Sequence, residues 1–241
     1  MKLSVTVITL NEEKNLAKCL SSVKNLAGEI IIVDSGSTDE TIEIAKKFKA
    51  IVFSRKFDNY SNQKNFAAGK VSGDWILSVD ADEEISSELS NEIRVVIKDH
   101  SNVAYSIPRK NVIFGKFVRF TRWQPELDRH VWLWKKGMGK WVGDVHEELQ
   151  INGRVGKLKN PKIHYQYETV TEFLEMMNTY SNLEVKRKFS YLKLFWDPLY
   201  NFFVRYFYRL GFLDGWRGFI LSYLMGIYYL EVWVKAWEKK G

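Results

Sequence analysis

The feature that most constrains the fold is a regular alternation of strand and helix patterns over the first hundred residues. Continuous apolar, β-branched runs predict strands buried on both faces at 3–9, 29–33, 50–53 and 75–79. Capping residues and helical spacing predict helices that begin at Asn11, Ser37, around Ser61 and at Ser87. This order predicts an α/β fold with a mostly parallel sheet and helices on both faces.

Ligands of such a sheet bind at the carboxyl ends of its strands. Three of the predicted strands end in polar residues: Thr9 and Asn11, Asp34, and the pair Asp80 and Asp82. Two carboxylates spaced i, i+2 after a strand can turn toward one cavity and hold Mg²⁺ or Mn²⁺ together with phosphates. The alternative for this short motif is an acidic loop that caps the next helix.

Two further polar groups flank these strand ends. Asp34 could accept hydrogen bonds from a base amide, and Ser37 could cap a helix whose N-terminus favours anions; the alternative is a plain turn-and-cap segment. Lys64 follows at the start of a helix, where it could neutralise a diphosphate or contact a base. Its alternative is a solvated surface lysine.

The second half of the chain has a different pattern. Residues 103–120 predict antiparallel strands with a turn near Gly115, and residues 132–141 predict a hairpin. Glu147 follows that hairpin and is a candidate general base, with Asp144 and Glu148 as alternatives that the sequence does not separate. His164 could complete a metal shell, although most lone histidines are not ligands.

The C-terminal segment is basic and aromatic. Of 36 aromatic residues, 14 lie in residues 200–241, which carry a net charge of +3, and the whole chain carries +7. Amphipathic helices are predicted at 199–209 and 216–239, with a break at 211–215. This composition favours an anionic membrane surface, and the alternative is a helical hairpin packed on the core or on a second copy of the chain.

Localisation follows from two further observations. The longest uncharged apolar run, 218–230, has 13 residues, below the roughly 20 that a spanning helix needs. The N-terminus lacks the long apolar region of a signal peptide. The single cysteine, Cys19, excludes an intramolecular disulfide framework. The sequence therefore predicts a cytoplasmic protein, peripheral at the inner face of the membrane.

Taken together, the motifs 7–13, 33–39, 73–75 and 80–82 resemble the family 2 glycosyltransferases with a GT-A fold. Residues 123–129 and 145–147, and the stretch 211–218, are similar to the subgroup typified by lipopolysaccharide core glucosyltransferases. The resemblance implies a GT-A domain over 1–169, with a nucleotide-sugar half at about 1–100 and an acceptor half at about 101–169. Residues 170–241 would then form a helical extension that contacts membrane or makes a homo-oligomer.

The resemblance also implies roles for individual residues. The implied donor is a uridine diphosphate sugar, and the residues expected around it are Thr9, Asn11, Glu12, Asp34, Lys64 and Asp80. Asp82 would bind the metal with Asp80 and His164, Glu147 would match the base, and Arg129 could contact donor phosphates or acceptor. The resemblance implies a reaction that inverts the configuration of the sugar. Transfer of a single sugar is implied because the Gln-x-x-Arg-Trp motif of processive members is missing from this sequence.

Two other functions compete with this one. The acceptor could be a polyprenyl phosphate or a protein, which the sequence does not name. A non-catalytic module that binds nucleic acid or membrane could instead use the positive charge and the aromatic surface. Nucleic-acid binding is the less favoured of these hypotheses, because the carboxylates cluster where the phosphates of a nucleic acid would have to bind.

Overall fold

The structure, a computed structural model, describes residues 1–99, 101–143, 147–184 and 188–239. The strands are β1 (Leu3–Thr9), β2 (Glu29–Asp34), β3 (Ile51–Ser54), β4 (Trp75–Ser78), β5 (Glu83–Glu84), β6 (Ala104–Ile113), β7 (Lys116–Phe117), β8 (Arg129–Lys135), β9 (Gly139–Val142), β10 (Glu148–Ile151), β11 (Val155–Lys157) and β12 (Lys162–Tyr167). The helices are α1 (Leu16–Val23), α2 (Thr41–Lys47), α3 (Tyr60–Gly69), α4 (Ser87–Val96), α5 (Val170–Glu184), α6 (Tyr191–Phe203) and α7 (Gly215–Glu238). A π-helical turn (Val204–Tyr208) and a 3₁₀ turn (Gly211–Asp214) lie between α6 and α7.

The chain forms two compact units. The first unit contains residues 1–109 and 129–164, and the second contains residues 110–128 and 165–241. The functional division at 169/170 stays a prediction.

The sheet of the first unit confirms the predicted α/β fold. Its strands follow the order β3-β2-β1-β4-β8-β6, parallel from β3 to β4 and antiparallel beyond. Val5 of β1 lies opposite Ile30 of β2 on one side and opposite Leu77 of β4 on the other. All three side chains are buried, as expected of strands covered on both faces.

The strand order positions the site. Because β1 pairs with β2 on one side and with β4 on the other, the chain order of the strands reverses at β1. A crevice opens at such a point, outside the carboxyl ends of the strands. Thr9 ends β1, Asp34 ends β2, and Asp80 follows β4 by two residues.

Three local predictions are wrong in detail. Helix α2 begins at Thr41 behind Glu40 rather than at a cap on Ser37, because the Ser37 hydroxyl donates to Asp34 instead. Helix α1 begins at Leu16 rather than Asn11, because Asn11 takes a left-handed conformation (φ 55°) and residues 12–15 form a turn. The strand pair predicted at 132–141 does not form as a hairpin: β9 pairs with β10, while β8 pairs with β4 and β6. The turn near Gly115 is confirmed, with β7 antiparallel to β6.

The second unit has its own core, formed by the end of β6, by α5 and by α7. Phe173 of α5 lies at its centre, fully buried, with its ring edge against Phe114, Trp123 and Tyr167. The predicted helical tail is confirmed, although α6 begins at Tyr191, earlier than expected, behind the cap Ser190.

Among the described residues, one helical stretch, Gly211–Glu238, is long and apolar enough to cross a membrane by length and composition alone. Of its most apolar part, 39% is buried inside the protein, and the core helix of a soluble protein meets the same criteria. Membrane contact therefore stays a prediction.

Candidate functional site

Asp34 organises the loop that follows β2. Its Oδ1 accepts from the hydroxyls of Thr9 (2.9 Å) and Ser37 (2.5 Å), and its Oδ2 accepts from the backbone N–H groups of Gly36 (2.9 Å) and Ser37 (2.8 Å). Burial alone would raise the pKa of Asp34, but these hydrogen bonds outweigh it and the pKa is lowered. Since each oxygen already receives two donors, a base amide would have to displace one of them.

Asn11 joins the loop after β1 to the loop after β2. Its backbone N–H donates to Ser37 Oγ at 2.8 Å, and its Oδ1 accepts from the Thr38 N–H at 2.9 Å. The positive φ of Asn11 permits both contacts, and asparagine tolerates this region better than most residues. The two strand ends predicted to bind the donor therefore form one connected rim.

Glu12 lies among like charges. Burial raises its pKa above the ordinary value, a hydrogen bond from Asn15 partly opposes this, and the carboxylates of Asp82, Asp39 and Asp80 add to the rise. Such repulsion shows that Glu12 is close to the acidic pair.

The acidic pair itself is partly open to solvent. The side chains of Asp80 and Asp82 are 31% and 30% exposed. Asp82 Oδ2 lies 3.1 Å from His164 Nε2, so the structure brings together the predicted residues Asp82 and His164. The backbone N–H of Asp80 donates to Glu83 Oε2 at 2.9 Å.

A buried ion pair holds this acidic loop. Lys162 Nζ lies 2.5 Å from Glu83 Oε2, both side chains are fully buried, and the ammonium stacks 3.3 Å from the centre of the Trp132 ring. Burial lowers the pKa of Lys162, and Glu83 opposes that shift. Lys162 and His164 are two residues apart on β12, so both side chains lie on the same face of the strand. The strand therefore contacts the loop through both of them.

Lys64 links the acidic pair to the candidate base. Its Nζ lies 2.8 Å from Glu147 Oε1 and 3.3 Å from Asp80 Oδ1, and 4.8 Å from the centre of the Trp141 ring. Its side chain is 7% exposed, so it is not a solvated surface lysine. Burial would lower the pKa of Lys64, but Asp80 and Glu147 outweigh it and raise the pKa.

The same cation influences Asp80. Burial would raise the pKa of Asp80, but Lys64, Lys162 and Arg109 hold it well below its usual range, with a smaller contribution from His164. Asp80 is therefore a carboxylate at any physiological pH.

One face of α3 positions Lys64 and the segment before Glu147. Ser61, Lys64 and Asn65 are spaced i, i+3, i+4. Ser61 Oγ donates to the Gly143 carbonyl at 2.5 Å. The Asn65 amide donates to the Trp141 carbonyl at 2.8 Å and accepts from the Trp141 N–H at 2.9 Å.

The donor set fits a divalent metal only in combination with a ligand. Among the described residues, no three His, Cys, Asp or Glu side chains form a ready-made metal group. Asp80 and Asp82 supply carboxylates that are part exposed, and Mg²⁺ is commonly held by one or two carboxylates plus substrate phosphates. The residues present therefore fit an ion that binds with a phosphorylated donor.

Comparison with known proteins identifies the family of the chain. The family model described as glycosyl transferase family 2 matches residues 4–156. The chain belongs to glycosyl transferase family 2. It is therefore a glycosyltransferase, and the match covers the rim, the acidic pair, Lys64 and Glu147.

Relatives of this glycosyltransferase cover most of its length. An uncharacterized glycosyltransferase of Rickettsia typhi is 31% identical over 92% of this chain and 82% of that protein. The lipopolysaccharide core biosynthesis glycosyltransferase LpsC of Rhizobium meliloti is 28% identical over 99% of this chain and 93% of that protein. Among solved structures, S. aureus TarS 1–349 in complex with UDP-GlcNAc has a TM-score of 0.51 at 17% identity, covering 95% of this chain and 82% of that chain, which shows the shared fold.

Other predicted residues of this glycosyltransferase have different surroundings. Arg129 begins β8, where its guanidinium donates to the backbone carbonyls of Ser106 (3.1 Å) and Leu158 (2.8 Å). Glu148 is an exposed residue at the start of β10, opposite Val142. Asp144, the other alternative base, lies outside the described residues.

The residues that sequence reasoning missed are those that support the site. They are Glu83, Arg109, Lys162, Asn65 and Trp141. Period-two alternation back from His164 could have identified Lys162 as its neighbour on the same face. Nothing local pairs Asn65 with Trp141, which is 76 residues away along the chain.

Proposed function

We propose that this glycosyltransferase moves a single sugar from a UDP-sugar to a hydroxyl of a membrane-associated saccharide, with inversion and with Mg²⁺ or Mn²⁺ bound. The observation that carries the proposal is the Lys64 bridge. One buried ammonium contacts both Asp80, of the acidic pair, and Glu147, the candidate base. This joins a phosphate- and metal-binding element to a proton acceptor, the two parts that such a transfer requires.

The donor would bind at the connected rim. Thr9, Asn11 and Asp34 would line the nucleoside, and Glu12 would add negative charge beside it. Asp80 and Asp82, with His164 beside Asp82, would hold the divalent ion. When bound, that ion supplies positive charge to the departing diphosphate.

Glu147 would act as the base. Its carboxylate takes the proton of the acceptor hydroxyl as that oxygen attacks the anomeric carbon from the face opposite the diphosphate. The bond from the anomeric carbon to the diphosphate oxygen breaks with its electron pair, which inverts the configuration. The acidic wall favours the positive charge that develops on the sugar ring.

Lys64 would exchange partners during this reaction. In the structure its ammonium neutralises Glu147 and Asp80. A diphosphate that enters the site would compete for the same ammonium, because a buried lysine favours the strongest nearby anion. Glu147 would then be released to accept a proton only when donor is present.

The acceptor is proposed on weaker grounds than the donor. The relative LpsC is named for lipopolysaccharide core biosynthesis, which supports a lipid-linked saccharide and a place at the inner face of the cytoplasmic membrane. A polyprenyl phosphate or protein acceptor is the alternative. Arg129 would support the acceptor side through the backbone it holds rather than by direct contact.

The first test compares Asp82→Asn with Glu88→Gln, an exposed carboxylate of α4. Wild-type protein is expected to gain thermal stability with a UDP-sugar only when Mn²⁺ or Mg²⁺ is present. Asp82→Asn should lose that gain and lower the transfer rate by about 1,000-fold, since charge stabilisation at the leaving group is lost. Glu88→Gln should match the wild type.

Two results would overturn the proposal. One is transfer by Asp82→Asn at the wild-type rate. The other is a folded wild-type protein that no UDP-sugar stabilises and that releases no UDP with any saccharide acceptor.

A further inference from the structure

The outer surface of α6 and α7 is apolar between an exposed lysine, Lys193, and an exposed glutamate, Glu238. Between residues 194 and 237, every exposed residue that the structure describes is aliphatic or aromatic, apart from Gly215. The most exposed of them are Trp216, Tyr208, Phe195, Tyr200 and Trp196. Soluble proteins rarely expose so large an apolar surface unless something covers it.

The arginines of the same segment have the opposite placement. Arg205 is buried, with 7% of its surface exposed, and Arg209 and Arg217 are half-buried. Arg205 Nη1 donates to the Thr121 carbonyl at 2.8 Å. The Nε atoms of all three arginines are buried, and among the described residues none of these atoms has a hydrogen-bond partner. Buried donors without partners are costly, so these Nε atoms would gain from an acceptor outside the chain.

A strained loop adds further positive charge to this cluster. Asp214 accepts from the backbone N–H groups of Arg119 (3.1 Å) and Phe120 (2.8 Å), and the Arg209 carbonyl accepts from the Thr121 N–H (3.2 Å). Thr121 and Arg122 both have positive φ, at 62° and 80°. Strain of this kind in non-glycine residues is concentrated at binding sites.

The pKa of Arg205 responds to its burial and to the charge of Arg122, an arginine of the neighbouring loop. Burial lowers the pKa of Arg205 to about 10, Tyr229 partly opposes this, and the nearby charge of Arg122 adds to the shift. Arginines that repel one another in a buried setting gain from an anion between them.

The stretch 211–218 builds the tip that supports the cluster. A Cβ on Gly218 would lie 1.8 Å from the Gly211 carbonyl oxygen, so only glycine permits this close approach. A π-helical turn, a feature found mostly at functional sites, carries Arg205. The motif that resembles the lipopolysaccharide core subgroup thus has a structural role in presenting arginines beside an apolar face.

We propose that the Arg205–Arg209–Arg217 cluster binds the phosphate group of an anionic lipid, while the apolar face of α6 and α7 enters the outer acyl region of the bilayer. Guanidinium groups match phosphate oxygens in pairs, and aromatic residues suit the membrane interface. Free phosphate would satisfy the arginines but would leave the apolar face uncovered.

A second copy of the chain fits these observations less well than a lipid surface. Exposed apolar side chains occur on α6, on α7 and on the tip between them, whereas a pairing between two helices covers one stripe of each. A two-fold contact over this face would also bring identical arginine clusters toward each other. A bilayer covers the whole face and supplies the anions.

The test measures flotation of the full chain with vesicles of phosphatidylcholine alone or mixed with phosphatidylglycerol. Wild-type protein should prefer the anionic vesicles. The double variant Arg209→Gln with Arg217→Gln should bind them about 25-fold more weakly, from about five-fold for each charge near an anionic surface. The matched control, Lys47→Gln with Lys98→Gln, removes the same charge from exposed positions of the first unit and should change binding less than three-fold.

Separate measurements check that the arginine variant folds and that the bound phosphate belongs to a lipid. The arginine variant should keep the melting temperature and the donor-induced stabilisation of the wild type; if it unfolds, quenching of wild-type tryptophan fluorescence by brominated lipid decides instead. An equal loss of vesicle binding in both double variants would overturn the site. A wild-type protein that does not bind vesicles and that dimerises through this face would overturn it as well. Stabilisation by inorganic phosphate without vesicle binding would also overturn it.

The inference takes from the proposed function only that the acceptor is held at a membrane. Because the vesicle test uses no donor and no acceptor, vesicle binding can fail while sugar transfer succeeds, and the reverse.

Discussion

The two units of the molecule differ in how their buried charged groups are partnered. In the first unit, apolar residues fill the interior, and each charged group buried in the site faces an opposite charge, as Lys162 faces Glu83 and Lys64 faces Asp80 and Glu147. In the second unit, the outer surface of the helical hairpin is apolar, and Arg205 is buried with a donor atom unpartnered.

This difference teaches what each unit requires from its surroundings. A buried charge that meets its partner inside the protein needs no further component to be stable. A buried donor without a partner, beside an exposed apolar face, indicates that part of the favourable free energy comes from a component outside the chain. The buried lysines of the first unit have their carboxylate partners within the protein, and we expect the arginine cluster of the second unit to meet its partner at a membrane.

The largest expected effect separates the chemistry of the first unit from the binding of the second. Glu147→Gln should lower the rate of sugar transfer by about 1,000-fold, because the amide cannot accept the hydroxyl proton. Donor affinity should rise, because the diphosphate no longer competes with a Glu147 carboxylate for Lys64, and vesicle binding should stay unchanged. Glu148→Gln, at the exposed neighbouring position, is the control and should keep the wild-type rate. A reversed result, with Glu148 essential and Glu147 dispensable, would reassign the base.

The second prediction applies matched substitutions to both units. Leu77→Ala in β4, at a side chain with no exposed surface, should reduce the free energy of unfolding by about 3 kcal/mol. Phe195→Ala in α6, where 69% of the residue is exposed, should change it by about 0.5 kcal/mol or less and should weaken vesicle binding. Denaturant titration measures both; an equal loss at the two positions would mean that the Phe195 face is covered in solution.

The smallest expected effect concerns the Lys64 bridge. Lys64→Met leaves Asp80 and Glu147 without their cation and should cost about 2 kcal/mol of unfolding free energy at neutral pH. Lys64→Arg, which keeps the charge, should cost less. Thermal melts of both variants and of the wild type between pH 3 and pH 8 measure the difference.

The pH dependence follows from the direction of the two pKa shifts. Asp80 has a lowered pKa in the folded state, so its stabilisation is present above about pH 4, the unfolded value, and is lost as the pH falls through the folded pKa. Lys64 has a raised pKa, so its stabilisation is present below about pH 10 and is lost as the pH rises through the folded pKa. The difference in stability between the wild type and Lys64→Met should therefore be largest near neutral pH and should shrink as the pH falls below about 4.

The sequence predicts most of the first unit because its signals are local. The apolar runs of β1, β2 and β4 locate strands buried on both faces, and the polar residues that end them, Asp34 and Asp80, mark the crevice. The error at residues 132–141 has a tertiary cause: Asn65 of α3 pairs with the Trp141 backbone and holds β9 where it pairs with β10. The glycines near residue 137 predict a turn, but they do not indicate the contact between Asn65 and Trp141.

For the second unit, the sequence predicts the chemical character of the surface but not which residues are exposed on it. The count of aromatic and basic residues indicates a surface that binds anions or membrane, but it does not say which groups face outward. That Arg205 would be buried while Trp216 is exposed depends on the packing of the hairpin and on the close approach of Gly211 and Gly218. Composition is the same whichever side faces out, so only the packed structure resolves it.

The interleaving of the two units along the chain has a consequence for how this protein can change over generations. The chain passes between the units at 109/110, within β6, at 128/129, and at 164/165, within β12. A single genetic crossover after residue 164 therefore transfers α5, α6 and α7 without residues 110–128. The transferred helices would then meet a segment from the other parent at the contacts that Asp214 and Arg209 make with residues 119–121.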